Sequence, residues 1–156
     1  MKDTNTINNC IHPKIRLRFD TQEKFFGPGV CELLELIDET GSVQKACVRM
    51  ERSYSKGSKM LKKLDQVIGI SIVERWTGGA GGGGARLTEA GQKLVKTYRK
   101  METEVQKAAE DAFYKYYGED FRNAITINSS ITEESVISLE KAIIDIQTGG
   151  TTDEAD

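Results

Sequence analysis

The chain has 156 residues, 38% hydrophobic and 29% charged, with a formal net charge of −2, which fits one soluble domain with an appendage. No run approaches the roughly 18 consecutive apolar residues of a membrane span, and Met1-Lys2-Asp3-Thr4-Asn5 is followed by none of the apolar core of a secretory signal. The single His12 leaves no partner for a His-based triad or metal site, and Cys10, Cys31 and Cys47, without a C-x-x-C pair, read as reduced thiols in a cytoplasm.

The net charge conceals a split. Residues 42–76 hold eight cations against three anions, a net of +5, whereas residues 118–156 hold two cations against nine anions, a net of −7. A solvated helix face explains most charge runs, but an asymmetry this large also suits a local polyanion-binding surface beside an acidic tail.

In chain order, residues 1–13 read as a polar, loose arm. Lys14-Ile15-Arg16-Leu17-Arg18-Phe19 alternates charged and apolar residues, the period of a half-buried strand. Asp20 to Glu23 forms a turn and Lys24-Phe25-Phe26 returns as a second strand, broken by Gly27-Pro28-Gly29. A first helix spans about 29–40 with Val30, Leu33, Leu34 and Ile37 as its apolar stripe; Gly41 suits the left-handed residue that ends it.

Ser42 caps a second, short helix over about 43–50 that buries Val43, Ala46, Cys47 and Met50. Ser53 caps a third, running to Ile68 before Gly69, with Tyr54, Gly57, Leu61, Leu64 and Ile68 inward. At 100° per residue the opposite face carries Ser55, Lys59, Lys62 and Gln66, flanked by Lys56 and Lys63. Gly57 in mid-helix costs about 1 kcal/mol relative to alanine, which close packing of the second helix would explain. Two helices joined by a tight turn, the second with a cationic, hydroxyl-bearing outer face, form a helix-turn-helix pattern.

Ile70 to Trp76 is β-rich. Six glycines and an alanine follow at 78–84, and Ala85-Arg86-Leu87 reads as a returning strand. A glycine run cannot build a core, so it is the tip of a hairpin. The fold class is therefore mainly α with a small β wing (α+β), a winged helix-turn-helix. Thr88 caps a long helix on which Leu94, Tyr98, Met101, Val105, Ala108 and Ala112 step by four and three, a heptad seam that predicts dimerisation through this helix. Glu89 and Glu102 are expected among its exposed acids. Gly118 ends it. Residues 124–128 read as a short strand, and 132–146 as an amphipathic helix with Val136, Leu139, Ile143 and Ile144 apolar. Residues from 148 on read as disordered. The predicted parts are thus a flexible arm (1–13), the winged helix-turn-helix (14–87), a dimerisation helix (88–117) and an acidic appendage (118–156).

The glycines also satisfy G-x-G-x-x-G from Gly79, as nearly any glycine run does. Ala85-Arg86-Leu87 separates them from the helix start, whereas a dinucleotide fingerprint opens its helix directly. No cofactor is expected, and paired carboxylates have no enclosed site for catalysis, so the chain does not read as an enzyme.

The text of Gly27-Pro28-Gly29 through Asp38-Glu39-Thr40-Gly41-Ser42, of Ser53-Tyr54, and of Glu74 through Thr88-Glu89-Ala90-Gly91 resembles the N-terminal DNA-binding domain of the ModE-type, molybdate-responsive transcription regulators, a winged helix related to that of LysR-type regulators. The resemblance covers roughly residues 14–117 and implies a homodimeric regulator on double-stranded DNA with an inverted-repeat operator. It departs from the family where Lys56, Gly57 and Lys59 replace small and bulky apolar residues. It departs again after the long helix, where residues 118–156 are too few for a molybdate-binding domain and Phe121-Arg122-Asn123-Ala124 is a poor echo of the family's oxyanion motif. Direct binding of molybdate is not expected.

For DNA the expected division is phosphate contact by Lys45, Arg52, Lys56, Lys62 and Lys63, and base reading by Ser53, Ser55, Lys59 and also Lys56. Tyr54 is expected in the core. Gly79, Gly81, Gly82 and Gly83 let the wing's backbone lie against DNA, with Arg75 and Arg86 at its base; Arg86 either supplies charge or braces the hairpin. The alternative function is a protein-interaction module, a coiled-coil dimer with an acidic recruiting tail.

Overall fold

A computed structural model describes residues 11–124 and 133–148. Residues 1–10 of the expected arm (1–13), 125–128 of the expected strand (124–128) and the expected tail beyond residue 148 lie outside the described residues. Arg16–Val105 forms one compact unit, and residues 11–15 group with the chain from Gln106 onward.

The hairpin is shorter than its alternation predicts. Strand β1 (Phe19–Asp20) pairs antiparallel with β2 (Lys24–Phe26), and residues 11–18 form no strand. Their backbone bonds instead to side chains: the Tyr98 hydroxyl donates to the Leu17 carbonyl at 3.0 Å, the Gln106 amide donates to the Pro13 carbonyl at 2.7 Å, and the Ile15 N–H donates to Gln106 Oε1 at 3.0 Å. Backbone polar groups need partners but not a ladder.

Helix α1 (Pro28–Thr40) begins with proline in its first turn and ends at Gly41, whose φ of 66° is left-handed. The Ser42 side chain accepts from the Lys45 N–H to start α2 (Val43–Arg49), and the Ser53 side chain accepts from the Lys56 N–H to start α3 (Tyr54–Ile68), which ends at left-handed Gly69. The turn between α2 and α3 places Glu51 at φ 53°, a left-handed non-glycine residue. That costs of order 1 kcal/mol and is held by bonds from the Glu51 and Arg52 N–H groups to the Val48 and Cys47 carbonyls.

Gly57 sits where the sequence requires a close approach. A Cβ there would lie 2.3 Å from Cys47 Sγ and 3.8 Å from Leu33, so α2 packs directly onto the α3 backbone. Leu33, Leu34, Ile37, Val43, Ala46, Cys47, Leu61 and Leu64 form one buried core with Ile72, Val73, Ala85 and Leu87.

Strands β3 (Val73–Trp76) and β4 (Gly84–Leu87) pair antiparallel, Val73 opposite Leu87 and Trp76 opposite Gly84. β3 starts later than its β-rich text suggests, because the Ile72 N–H is taken by Asp65 Oδ1 at 3.0 Å and Ile70 is exposed. The Ala85 N–H donates to the Gly41 carbonyl at 2.8 Å, fastening β4 to the turn after α1.

Thr88 Oγ1 accepts from the Gly91 N–H at 3.1 Å to open α4 (Glu89–Ala124). Gly118, at φ 77° and ψ 168°, interrupts it as expected, although helix resumes to Ala124, where a strand was predicted to begin. Helix α5 (Glu133–Thr148) matches the predicted amphipathic segment.

Three side chains depart from their predicted places. Tyr54 is 51% exposed, since it stands in the first turn of α3, ahead of the part that α1 and α2 cover. Tyr98 is 1% exposed, with its ring edge-on to Phe19 and Phe26; it packs within its own core and cannot enter a dimer seam. Glu102 is only half-exposed because Arg99 Nη1 bonds it at 2.6 Å while gripping Glu35 of α1 through Nε and Nη2 at 2.8 and 2.7 Å.

Candidate nucleic-acid interface

The outer face of α3 is a consequence of its inner one. Because Gly57, Leu61 and Leu64 are buried, a rotation of 100° per residue turns Ser55, Lys59, Lys62 and Gln66 outward, and all four are exposed. Lys56 is exposed beside them, and Lys45 is exposed on α2. Ser53 is exposed, but its hydroxyl is engaged as the α3 cap at 3.3 Å from the Lys56 nitrogen. Helix capping therefore competes with the base contact expected of it.

The remaining cations differ in their freedom. Lys63 is half-buried and bonds Glu23 across to the hairpin at 2.5 Å, and this ammonium holds the Glu23 carboxyl below its usual range. Arg86 Nε bonds Glu74 Oε2 at 2.8 Å across the wing, so here it braces the hairpin, as Glu74 stands opposite Arg86 in the register. Arg49, on α2, is paired with Glu39. Arg75 is exposed on β3, and with Lys62, Ser58, Gln66, Asp65 and Val73 it lines a hollow between α3 and the wing. Arg52 is exposed in the turn just before the α3 cap.

The wing tip consists of exposed residues 77–83. Gly79 and Gly82 have φ of 100° and 77°, and the Gly82 N–H closes a turn onto the Gly79 carbonyl at 3.1 Å. A side chain at either would be strained. At Gly81 nothing lies within 4 Å of a Cβ, whereas a Cβ at Gly83 would stand 2.7 Å from the Trp76 carbonyl oxygen.

Sequence reasoning missed two groups on this side of the molecule. Tyr54 adds an exposed aromatic to the start of α3. Arg16 and Arg18, in the segment leading into the hairpin, and Lys24 of β2 are exposed and line a cleft with Arg52 and Lys63. The alternation of Lys14, Arg16 and Arg18 carries both signals, a strand period and a row of cations. Among the described residues no group of His, Cys, Asp and Glu could hold a metal ion, and no helix is long and apolar enough to cross a membrane.

A short helix, a tight turn, a second helix with a basic exposed face and a glycine-tipped hairpin define a winged helix-turn-helix, followed by a long helix. Residues 31–92 match the family described as bacterial regulatory helix-turn-helix protein, lysR family. The chain is 32% identical over 128 residues to the DNA-binding transcriptional dual regulator ModE of Escherichia coli (strain K12), covering 81% of this chain and 46% of that protein. It is 34% identical over 96 residues to the transcriptional regulator ModE of Yersinia pestis, covering 61% of this chain and 36% of that one. Similarity extends to the molybdenum transport protein ModE of Herbaspirillum seropedicae, 29% identical over 97 residues, or 62% of this chain and 34% of that protein. The domain is thus a ModE-type N-terminal helix-turn-helix domain, and the chain spans less than half the length of these relatives.

Proposed function

We propose that this chain is a sequence-specific, DNA-binding transcriptional regulator that acts as a homodimer on an inverted-repeat operator in genes of molybdate or tungstate metabolism. The observation that carries the reading is the exposed face of α3, where Ser55, Lys56, Lys59 and Lys62 stand together in solvent beside the Arg75 wing. In this reading α3 enters the major groove. Lys59 and Ser55 reach base edges, while Lys45, Arg52, Lys56, Lys62 and Arg75 meet phosphates. The backbone of Gly79, Gly81, Gly82 and Gly83 lies along the sugar-phosphate strand. The link to molybdenum rests on the name of one relative, a molybdenum transport protein, and its narrowing to molybdate or tungstate on the resemblance to ModE-type regulators; direct molybdate binding by the described residues is not part of it.

Dimerisation runs through α4. Tyr98 belongs to the core, and Leu94 is half-buried against it. The seam therefore narrows to Met101, Val105, Ala108 and Ala112, of which Met101 is 44% exposed, Val105 is half-buried and Ala108 and Ala112 are exposed. Their four-three-four spacing keeps them on one face.

Mobility shifts with DNA from upstream of its own gene are expected to give a specific complex at physiological salt. The K56Q/K59Q double variant is expected to bind at least roughly tenfold more weakly, as neutralising two DNA-facing charges predicts. Equal binding by wild type and double variant would sink the proposal. Retention of a protein partner without any DNA footprint would favour an interaction module in its place.

A further inference from the structure

The hairpin cleft lies on the flank of α3 that the wing does not occupy. Arg16, Arg18, Lys24, Arg52 and Lys63 line a cleft of about 590 Å³ in which Glu32 is the one lining acid. Lys63 is held by Glu23, but Arg16, Arg18, Lys24 and Arg52 enter no ion pair among the described residues. Four unpaired cations around one open cleft repel one another, and without an anion their charges add nothing to the fold.

The floor of the cleft is the start of α1. Gly27 is its N-cap with no side-chain bond, Pro28 has no N–H, and the Gly29 N–H has no acceptor among the described residues. Packing aims Arg18 here: a Cβ at Gly27 would stand 3.2 Å from Arg18 Cγ, and one at Gly29 would stand 3.8 Å from Arg52 Nη2. The one unbonded N–H at this helix start, that of Gly29, together with guanidinium and ammonium groups suits a phosphate.

The bearing of the cleft follows from helical rotation. Taking Lys59 as the outermost residue of α3, Lys63 and Met60, which line the cleft, are rotated about 40° and 100° to one side. Lys62 and Ser58, which line the wing-side hollow, are rotated about 60° and 100° to the other. A helix in the major groove has one phosphate backbone on each side. The wing takes one, and we infer that the hairpin cleft is a second phosphate-binding surface that takes the backbone on the opposite side of the same groove. The inference rests on the DNA-binding reading and extends the footprint beyond α3 and the wing.

The test is the R16Q/R18Q/K24Q variant, whose three positions are exposed and whose glutamines keep the Arg18 stem against Gly27. Binding to DNA from upstream of its own gene is followed across salt concentrations, with hydroxyl-radical footprints of wild type and variant. The slope of log affinity against log salt is expected to flatten by roughly 0.9 for each phosphate that is no longer neutralised, up to roughly 2.7. Protection is expected to vanish from one backbone flanking the groove and persist on the wing side. An unchanged slope and footprint in a variant that melts like wild type overturns the inference while leaving the α3 reading intact. A wild type that binds no DNA overturns both. Inorganic phosphate, titrated into the unbound protein, separates a backbone phosphate from a free one. Saturable binding abolished in the variant, with an unchanged DNA slope, marks a free-anion site and overturns the inference.

Discussion

Gly57 couples the packing of the domain to the presentation of its basic helix, and a Gly57→Ala substitution makes the coupling measurable. Helix propensity alone favours the variant by about 1 kcal/mol. Against that, the new methyl would stand 2.3 Å from Cys47 Sγ, well inside the roughly 3.5 Å of a normal heavy-atom contact. Cys47 is 1% exposed and has a single side-chain torsion, so its sulfur retreats only by displacing neighbours. Overpacking of this kind costs about 1–3 kcal/mol, and an overlap this deep belongs at the upper end. The expected net loss is about 2 kcal/mol, or a Tm lower by roughly 8–16 °C for a unit of this size. Cys47→Ala alone should lose about 1 kcal/mol for the vacated sulfur. In the C47A/G57A double variant the new methyl occupies the vacated space, and stability should return to within about 1 kcal/mol of wild type. Urea titration of all four proteins yields the cycle, with an expected coupling of about 2 kcal/mol in favour of the pair. A Gly57→Ala protein as stable as wild type, or strictly additive penalties, would refute the close-packing account.

Two further outcomes follow from the ionisable groups. Burial pushes the Cys31 thiol from its ordinary 9.0 up to about 12, and burial, aided by the Glu102 charge, pushes the Tyr98 phenol from 10.0 to about 12. Both folded values are raised, so the protonated forms support the fold fully below pH 9 and that support drains away as pH climbs to about 12. Melting curves should fall steadily across this window in wild type and less steeply in Cys31→Ala; a flat profile would contradict the burial. The Arg86–Glu74 pair is exposed on both sides, so removing either partner should change stability by under about 1 kcal/mol. Glu74→Gln should instead raise DNA affinity severalfold by releasing Arg86 and deleting an anion, whereas weaker binding would mean that the brace itself shapes the wing.

Local signals were legible where one residue type has one physical use. Ser42 and Ser53 before their helices, Gly41 and Gly69 after theirs, and Thr88 ahead of the long helix all carry the caps that their chemistry suggests. The close approach at Gly57 was also readable, because a mid-helix glycine needs a reason. What periodicity could not disclose was the identity of the partner. Tyr98 falls on the heptad seam, yet its ring meets Phe19 and Phe26, because a stripe records burial and not which chain supplies it. Tyr54 lies on the inward stripe of α3 but beyond the elements that cover that stripe, a matter of tertiary reach. The left-handed Glu51 had no glycine or asparagine to announce it. Of the proposed interface, the α3 and wing cations stood out as a dense cluster, whereas Arg16, Arg18 and Lys24 join Arg52 only through the fold.

Trp76 is the chain's sole tryptophan and the last residue of β3, where its ring lies over Gly84; a Cβ at that glycine would come within 2.3 Å of Cζ2. At 48% exposure the indole is neither sheltered nor fully hydrated, so its emission reports whatever changes the water around the foot of the wing. The unlabelled protein therefore contains its own fluorophore at one defined place, with no second indole to dilute the signal. Stopped-flow fluorescence can time the seating of the wing as an event separate from the arrival of the helix, an order of steps that equilibrium affinities do not contain.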